Sequence, residues 1–176
     1  FFSWVCDQLS FYSCKSVSID DLYTINSTEF FHDNELRGDR SQRNLSWRTS
    51  FRPSNDYEFV QITKNQDVVG YGIFSLPLNY DGLKPVVLLD VVAKPEHRLA
   101  VFKSLGRYGV LRNKQSDLVL FLGVVPFLNS TLLQTLPLIG VPERFIPDAN
   151  SLLFQTGSDE LNNADIYMTL FDFDMF

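Results

Sequence analysis

Two residues near the middle of the chain could take part in acid–base or anion-binding chemistry. Asp90 lies inside an apolar run, Val86 to Val92, where a buried carboxylate needs a partner or titrates abnormally. Asp90 could act as a general base towards an amine, and a structural hydrogen bond at a strand end explains it equally well. His97 stands at the start of a predicted helix. It could contact a phosphate oxygen there, or it could cap the helix or face solvent.

Two further pairs of side chains have both a functional and a structural interpretation. Trp47 and Arg48 could stack on or pair with a substrate, while a tryptophan packed under a β-hairpin is a common structural role. Asp172 and Asp174 share one face of an extended segment and could bind a cation, although carboxylates near a chain end are usually solvated. No spacing in the sequence indicates a catalytic triad, a cysteine nucleophile or a zinc site. We therefore expect no metal.

Composition limits the classes of protein to consider. The 176 residues fit one domain with a real core, and the formal charge of −6 with a pI near 4.8 argues against nucleic acid or an anionic membrane as partner. No apolar run of membrane-spanning length occurs, and Cys6 and Cys14 are expected to be free thiols. A cytoplasmic location follows from these features. The start at Phe1 suggests a fragment of a longer protein.

The central part of the chain predicts a strand–helix–strand unit. Apolar runs at 86–92 and 118–125 are typical of strands buried on both faces, and a helix over 97–112 separates them, so a parallel right-handed crossover is expected. Gly106 and Gly109 each weaken that helix by about 1 kcal/mol relative to alanine, which suggests that close packing requires them. The polar face of the helix is basic: Arg98, Lys103, Arg107, Arg112 and Lys114.

The rest of the sequence predicts elements on both sides of this unit. A hairpin is expected from alternating and β-branched residues, and a polar stretch before it reads as a solvated loop. Residues 1–15 are compatible with a strand or a helix. The expected elements are a helix at 19–31, a loop at 32–44, a helix or turn at 44–53, strands at 57–63 and 68–76, a helix at 126–140, an extended piece at 141–147 and a strand at 166–170.

Several short segments, taken in order, resemble one known family. They are Leu45-Ser46-Trp47-Arg48, Val69-Gly70-Tyr71-Gly72-Ile73, Leu89-Asp90 and the closing stretch 165–174. Together with the order of elements, they are similar to the GNAT acyltransferases, in particular to GNAT-like domains of bacterial proteins. The resemblance covers 44–176, and 1–43 forms an N-terminal helical and loop part of the same single domain, 1–176. It implies an α+β fold with αβα layers, in which helices flank a mixed, mostly antiparallel sheet that splays open between two central parallel strands.

The resemblance also implies an activity and a set of site residues. The activity is transfer of an acyl group from acetyl-CoA or another acyl-CoA, as co-substrate, to a small-molecule amine or peptide acceptor. In this interpretation the pantetheine lies along Val91, Val92 and Ala93, and the pyrophosphate lies at the start of the following helix. The residues assigned in this way are Val91, Val92, Ala93, His97, Arg98 and Asn129 for acyl-CoA, and Trp47, Arg48 and Tyr71 for the acceptor, with Asp90 as the catalytic candidate.

Two departures from the family pattern lead to a second hypothesis. The stretch Ala93 to Arg98 has no glycine where the family has a glycine-rich pyrophosphate loop, and Leu136 stands where many members have a proton-donating tyrosine. The alternative is therefore a non-catalytic GNAT-like binding or assembly module, partnered by another domain or by a second copy. A small-molecule sensor with an aromatic cleft is a third possibility.

Overall fold

The computed structural model describes just over half of the chain, including the whole central strand and the helix that follows it. The helix expected at 126–140, the extended piece at 141–147, Asn129, Leu136 and the Asp172–Asp174 pair lie outside the described residues. The described residues are 11–25, 27–31, 35–50, 57–75, 82, 84–112, 118–121, 123–124 and 165–169.

Most of the described strands form one five-stranded sheet in the order β1-β3-β4-β5-β6. The pairs β1–β3, β3–β4 and β4–β5 are antiparallel, and the pair β5–β6 is parallel. The β3–β4 hairpin appears where its alternating pattern predicts it, and β1 settles the question left open for the N-terminal residues in favour of a strand. The bounds are β1 Tyr12–Val17, β3 Tyr57–Lys64, β4 Asp67–Ser75, β5 Pro85–Ala93 and β6 Leu118–Phe121.

Three short strands form a second group in the order β2-β8-β7. Their bounds are β2 Glu35–Arg37, β7 Gly123–Val124 and β8 Asp165–Thr169. β8 pairs with β2 in parallel and with β7 in antiparallel fashion. Because only residue 122 separates β6 from β7, the chain leaves the first group and enters the second within one residue. The predicted α+β class is confirmed: the five-stranded sheet is mixed and mostly antiparallel, it carries helices, and its two parallel strands among the described residues are β5 and β6.

The described helices are α1 Ile19–Tyr23, α2 Gln42–Ser50 and α3 Arg98–Arg112. Ser18 caps α1: its hydroxyl accepts the Asp21 N–H, and the Asp21 carboxylate accepts the Ser18 N–H. The prediction of one helix over 19–31 was too long. α1 ends at Tyr23, and a separate 3-10 turn spans Ser27–Phe30. The Thr24 hydroxyl donates to the Asp21 carbonyl at 2.7 Å and competes with continuation of the helix.

The prediction of a solvated loop over 32–44 is wrong for part of its length. Residues 35–37 form β2, α2 begins at Gln42, and the side chains of Glu35 and Arg40 are buried. Charged side chains are buried only where partners neutralise them. Because the segment itself shows no such partners, its composition predicted a solvent-exposed loop. The partners come from the central unit, as described below.

Two apolar clusters cover the two faces of the five-stranded sheet. One lies under α3 and includes Val60, Phe74, Leu88, Val101 and Leu105. The other lies on the opposite face, under α1 and α2, and includes Leu22, Leu45, Tyr71, Leu89 and Val92. β5 is buried along its whole length because it contributes side chains to both clusters. This matches the continuous apolar run that predicted a strand covered on both faces.

Candidate functional site

The parallel pairing of β5 with β6 stops halfway along β5. Its register runs from Pro85–Leu118 to Leu88–Phe121, whereas β5 continues to Ala93. Beyond residue 122 the chain pairs, as β7, with β8. Among the described residues, the last five residues of β5 therefore have a strand partner on one side, β4, and the two central parallel strands diverge at this point. We call the space between 89–93 of β5 and β7 the crevice.

Backbone direction shows which groups of β5 face the crevice. The Lys94 N–H donates to the Val69 carbonyl on β4 at 2.9 Å. Because N–H directions alternate along a strand, Val92 also faces β4, whereas Val91 and Ala93 face the crevice. Of the three residues assigned to pantetheine from the sequence, Val91 and Ala93 thus face the crevice, and Val92 faces its strand partner Tyr71.

A β-bulge at Leu89 controls the orientation of Asp90. Ile73 pairs with Asp90 and Phe74 pairs with Leu88, so Leu89 is the extra residue. Strict alternation from Leu88, which packs under α3, would have placed Asp90 on the same apolar face. The bulge instead puts Leu89 and Asp90 consecutively on the α1–α2 face. The carboxylate consequently avoids the apolar cluster under α3.

Arg40 meets Asp90 on that face in a buried two-pronged ion pair. Its Nε lies 2.7 Å from Asp90 Oδ2, its Nη2 lies 3.1 Å from Oδ1, and the side chains are 3% and 0% exposed. The Val91 N–H also donates to Oδ1, at 3.0 Å. Both oxygens of Asp90 are thus engaged as acceptors. The partner that a buried carboxylate requires comes from fifty residues earlier in the sequence.

Arg98, at the start of α3, forms a second buried ion pair. Its Nη1 and Nη2 lie 2.5 Å and 2.7 Å from the two Glu35 oxygens, and Nη2 also donates to the Phe30 carbonyl at 3.1 Å. The guanidinium expected to attract phosphate is therefore neutralised by a carboxylate of β2. Along the rest of α3, Arg112 pairs with Glu58 at 3.0 Å. Two positive charges of the basic face predicted for this helix, Arg98 and Arg112, are therefore neutralised by glutamates of other elements.

His97 lies in a 3-10 turn, Pro95–His97, just before α3. Its Nδ1 is 3.1 Å from the Tyr12 hydroxyl, and its Nε2 is 4.0 Å from Glu96. Desolvation lowers the pKa of His97 below its ordinary value, and the nearby Lys64 charge lowers it further. The neutral imidazole is therefore favoured, and positive charge at this corner comes mainly from Lys64 and Lys94.

A cavity of about 310 Å³ opens on the α1–α2 face of the sheet. Its lining is mixed: aliphatic and aromatic side chains alternate with hydroxyl, amide and guanidinium groups, and Arg40 is among the polar ones. Arg40 therefore touches both the cavity and Asp90. The lining residues are Leu22, Tyr23, Thr24, Ile25, Arg40, Ser41, Gln42, Leu45 and Tyr71.

The three expected acceptor residues are placed differently from one another. Tyr71 lines the cavity, and its side chain is buried. Trp47 is 48% exposed on α2, with the Arg48 guanidinium 5.9 Å from its ring centroid. Neither Trp47 nor Arg48 is among the described residues that line the cavity; α2 contributes Gln42 and Leu45 instead. The structure brings Tyr71 together with Arg40 and leaves the Trp47–Arg48 pair on the outside.

Arg40 and Glu35 were not predicted as site residues, although one signal in the sequence pointed to them. Asp90 was predicted to lie inside a buried strand, and a buried carboxylate needs an opposite charge. The polar stretch 32–44 contains both signs of charge around one apolar residue, Leu36. Charged residues of this segment were therefore candidate ion-pair partners for the central unit, although no local pattern indicates which of them pairs with Asp90.

Comparisons with known proteins were made by sequence and by structure. No protein-family model and no curated protein matches the chain. Among solved structures, a ribosomal-protein-alanine N-acetyltransferase from Brucella melitensis biovar Abortus 2308 is similar, with 14% identity and a TM-score of 0.45 over 83% of this chain and 99% of that chain. At this identity and TM-score the likeness carries no conclusion about activity. The fold class stands on the strand order and pairing described above.

One membrane-related finding concerns the described helices. None of them combines the length and the apolar composition that crossing a membrane requires.

Proposed function

We propose that this chain binds acyl-CoA in the crevice and transfers the acyl group to an amine. The observation that carries the proposal is that, among the described residues, β5 pairs with β6 only as far as Leu88 and then continues to Ala93, just before the turn that leads into α3. An extended, amide-containing ligand such as pantetheine can add to a strand edge through backbone hydrogen bonds. Ala93 and Val91 are the residues of β5 turned towards the crevice, and because the Val91 N–H already donates to Asp90, we assign the donated hydrogen bond to Ala93.

The anionic end of the ligand belongs at the start of α3. Helix N-termini favour anions through their N–H groups and dipole. Lys94 precedes this helix, and Lys64 is near enough to depress the pKa of His97. Because Arg98 is engaged with Glu35, we assign the phosphate attraction to Lys94 and Lys64 rather than to Arg98.

The acceptor amine is assigned to the cavity on the α1–α2 face. Its lining combines the apolar residues Leu22 and Leu45 with polar side chains, and the charge of Arg40 is neutralised by Asp90. We therefore expect a small uncharged amine or peptide terminus to be preferred over a strongly charged acceptor.

The reaction joins the amine nitrogen to the thioester carbonyl carbon and breaks the carbon–sulfur bond. The amine gives up a proton, and the departing CoA thiolate takes one up. Asp90 is not assigned as the base, because its two oxygens already accept hydrogen bonds from Arg40 and Val91. We expect the proton to pass to solvent in the cavity, so the dependence of rate on pH should follow the amine itself.

Titration calorimetry with acetyl-CoA tests the binding step. We expect saturable binding that Lys94→Gln weakens about two- to fivefold, the effect of one exposed charge near a helix N-terminus. Arg107→Gln, which removes an exposed charge from the middle of α3, serves as the matched control and should bind normally. No heat of binding at millimolar acetyl-CoA would contradict the proposal.

A second candidate is a GNAT-like binding module without catalysis. It is favoured by the engagement of Asp90 and Arg98 in buried ion pairs, because the two most suitable charges then serve structure. Thiol release measured with acetyl-CoA and a panel of apolar amines separates the two. Binding with no thiol release above the uncatalysed rate for any amine would favour the module; release that depends on the amine would favour the enzyme.

A further inference from the structure

The end of pairing between β5 and β6 needs a physical cause. A strand that ends its pairing within a buried region has backbone N–H groups that must find other acceptors, because an unsatisfied buried N–H is destabilising. Residues Val91, Val92 and Ala93 are at most 1% exposed. Hydrogen-bond partners for these backbone groups must therefore come from the protein rather than from bulk water.

The bulge at Leu89 reverses the direction of the backbone groups in the second half of β5. The Val87 N–H donates to the Ser75 hydroxyl on β4, and the Lys94 N–H donates to the Val69 carbonyl on β4. Residues 87 and 94 are separated by an odd number of positions, so strict alternation would have turned them to opposite sides. The one extra residue makes both point to β4 and turns the Val91 N–H towards the crevice.

Asp90 supplies the acceptor at that point. Its Oδ1 receives the Val91 N–H at 3.0 Å, while Arg40 holds the carboxylate by both oxygens. A regular parallel ladder would instead have offered a carbonyl of the neighbouring strand to this N–H. The Asp90 side chain thus offers this N–H an acceptor from within β5 itself.

We infer that Asp90 is a positioning residue that ends the β5–β6 ladder by taking over the Val91 N–H, with Arg40 as its anchor. The bulge, the carboxylate and the guanidinium act together, because the bulge brings Asp90 to the face on which Arg40 lies. As a result, the two parallel strands can separate without leaving the Val91 N–H unsatisfied. The inference concerns how the pairing of β5 with β6 ends; its link to acyl-CoA rests on the proposed function.

A long-range HNCO spectrum of the unmodified protein tests the central contact directly. We expect a through-hydrogen-bond correlation between the Val91 amide nitrogen and the side-chain carboxylate carbon of Asp90. A correlation from Val91 to a backbone carbonyl of 121–124 would overturn the inference, because it would show that the ladder continues. This measurement needs neither a variant nor a ligand.

Hydrogen exchange of two variants tests the consequence. In Asp90→Ala the Val91 amide should exchange about ten- to hundredfold faster, as expected for loss of a hydrogen bond to a charged acceptor, while the Val92 amide, which faces β4, stays protected. Asp67→Ala removes an exposed aspartate from β4 and is the control. Unchanged exchange at Val91 in Asp90→Ala would overturn the inference.

Arg40→Lys keeps the charge but cannot reproduce the two-pronged contact, so exchange at Val91 should fall between the wild type and Asp90→Ala. Should Asp90→Ala fail to fold, Arg40→Lys and the long-range HNCO spectrum still decide. A failure of acetyl-CoA to bind the wild type would contradict the proposed function and leave these backbone measurements unaffected. The two failures are therefore distinguishable.

Discussion

Asp90 and Arg98 are charged residues of the central unit, and both form buried ion pairs. Both have buried side chains, and both are held by partners more than forty residues earlier in the chain, Arg40 and Glu35. Removal of one member of such a pair leaves an uncompensated charge, which costs about 3–5 kcal/mol. At the scale of single residues, these two pairs decide which charges remain available to a ligand.

His97 provides a test of the electrostatics at the start of α3. Its imidazole should titrate below 6.5 because desolvation and Lys64 both disfavour the cation. NMR titration in a His32→Gln background, in which His97 is the one remaining histidine, measures the midpoint. Lys64→Met should raise that midpoint.

The same shift links His97 to stability. The folded state favours the neutral ring, so the unfolded chain takes up the proton more readily as pH falls below 6.5, and the free energy of unfolding should decline there. His97→Gln should flatten this decline. A His97 midpoint above 6.5, or a steeper decline in His97→Gln, would contradict the assignment.

At the scale of elements, the two glycines of α3 differ in how much space their surroundings leave for a side chain. A Cβ at Gly109 would lie 2.9 Å from Val119 Cγ2 and 3.1 Å from Phe74 Cε1, whereas a Cβ at Gly106 would meet nothing within 4 Å. The requirement for close packing predicted for both glycines therefore holds at Gly109 alone.

The two glycines give a matched pair of substitutions in one helix. Gly106→Ala should raise the free energy of unfolding by about 0.5–1 kcal/mol, because alanine favours the helix. Gly109→Ala should lower it by about 1 kcal/mol or more, since Val119 and Phe74 must move. Urea denaturation measures both. Equal changes in the two variants would show that helix propensity, and not packing against β4 and β6, governs this element.

At the scale of the whole molecule, the Glu35–Arg98 pair connects the two groups of strands. Glu35 belongs to β2, in the group β2-β8-β7, and Arg98 begins the helix that packs on the five-stranded sheet. The crevice lies between these groups. The pair is thus placed to hold its two sides together.

Glu35→Gln tests this connection. We expect faster amide exchange in β2 and β8 and a loss of about 3 kcal/mol in stability, because Arg98 remains buried without its counter-charge. Exchange in the β3–β4 hairpin should change far less. Glu96→Gln, an exposed glutamate two residues before Arg98, is the control. Acceleration spread evenly over β2 and the hairpin would contradict a connecting role.

The sequence by itself determined the elements whose signals are local. The β3–β4 hairpin, the buried strand β5 and the helix α3 lie within one or two residues of their predicted bounds, because alternation, apolar runs and helical spacing are written in consecutive residues. The parallel relation of β5 and β6 also followed, since a helical crossover allows little else. The α+β class was determined in the same way.

Only the tertiary structure decided the chemistry of the site. The bulge at Leu89 reverses the face of Asp90, and no local pattern marks it. Arg40 and Glu35 read as solvated in their own segment and become buried because partners far along the chain neutralise them. Burial of a charge depends on which distant segment folds beside it, so this part of the protein is fixed by long-range pairing and not by the local sequence.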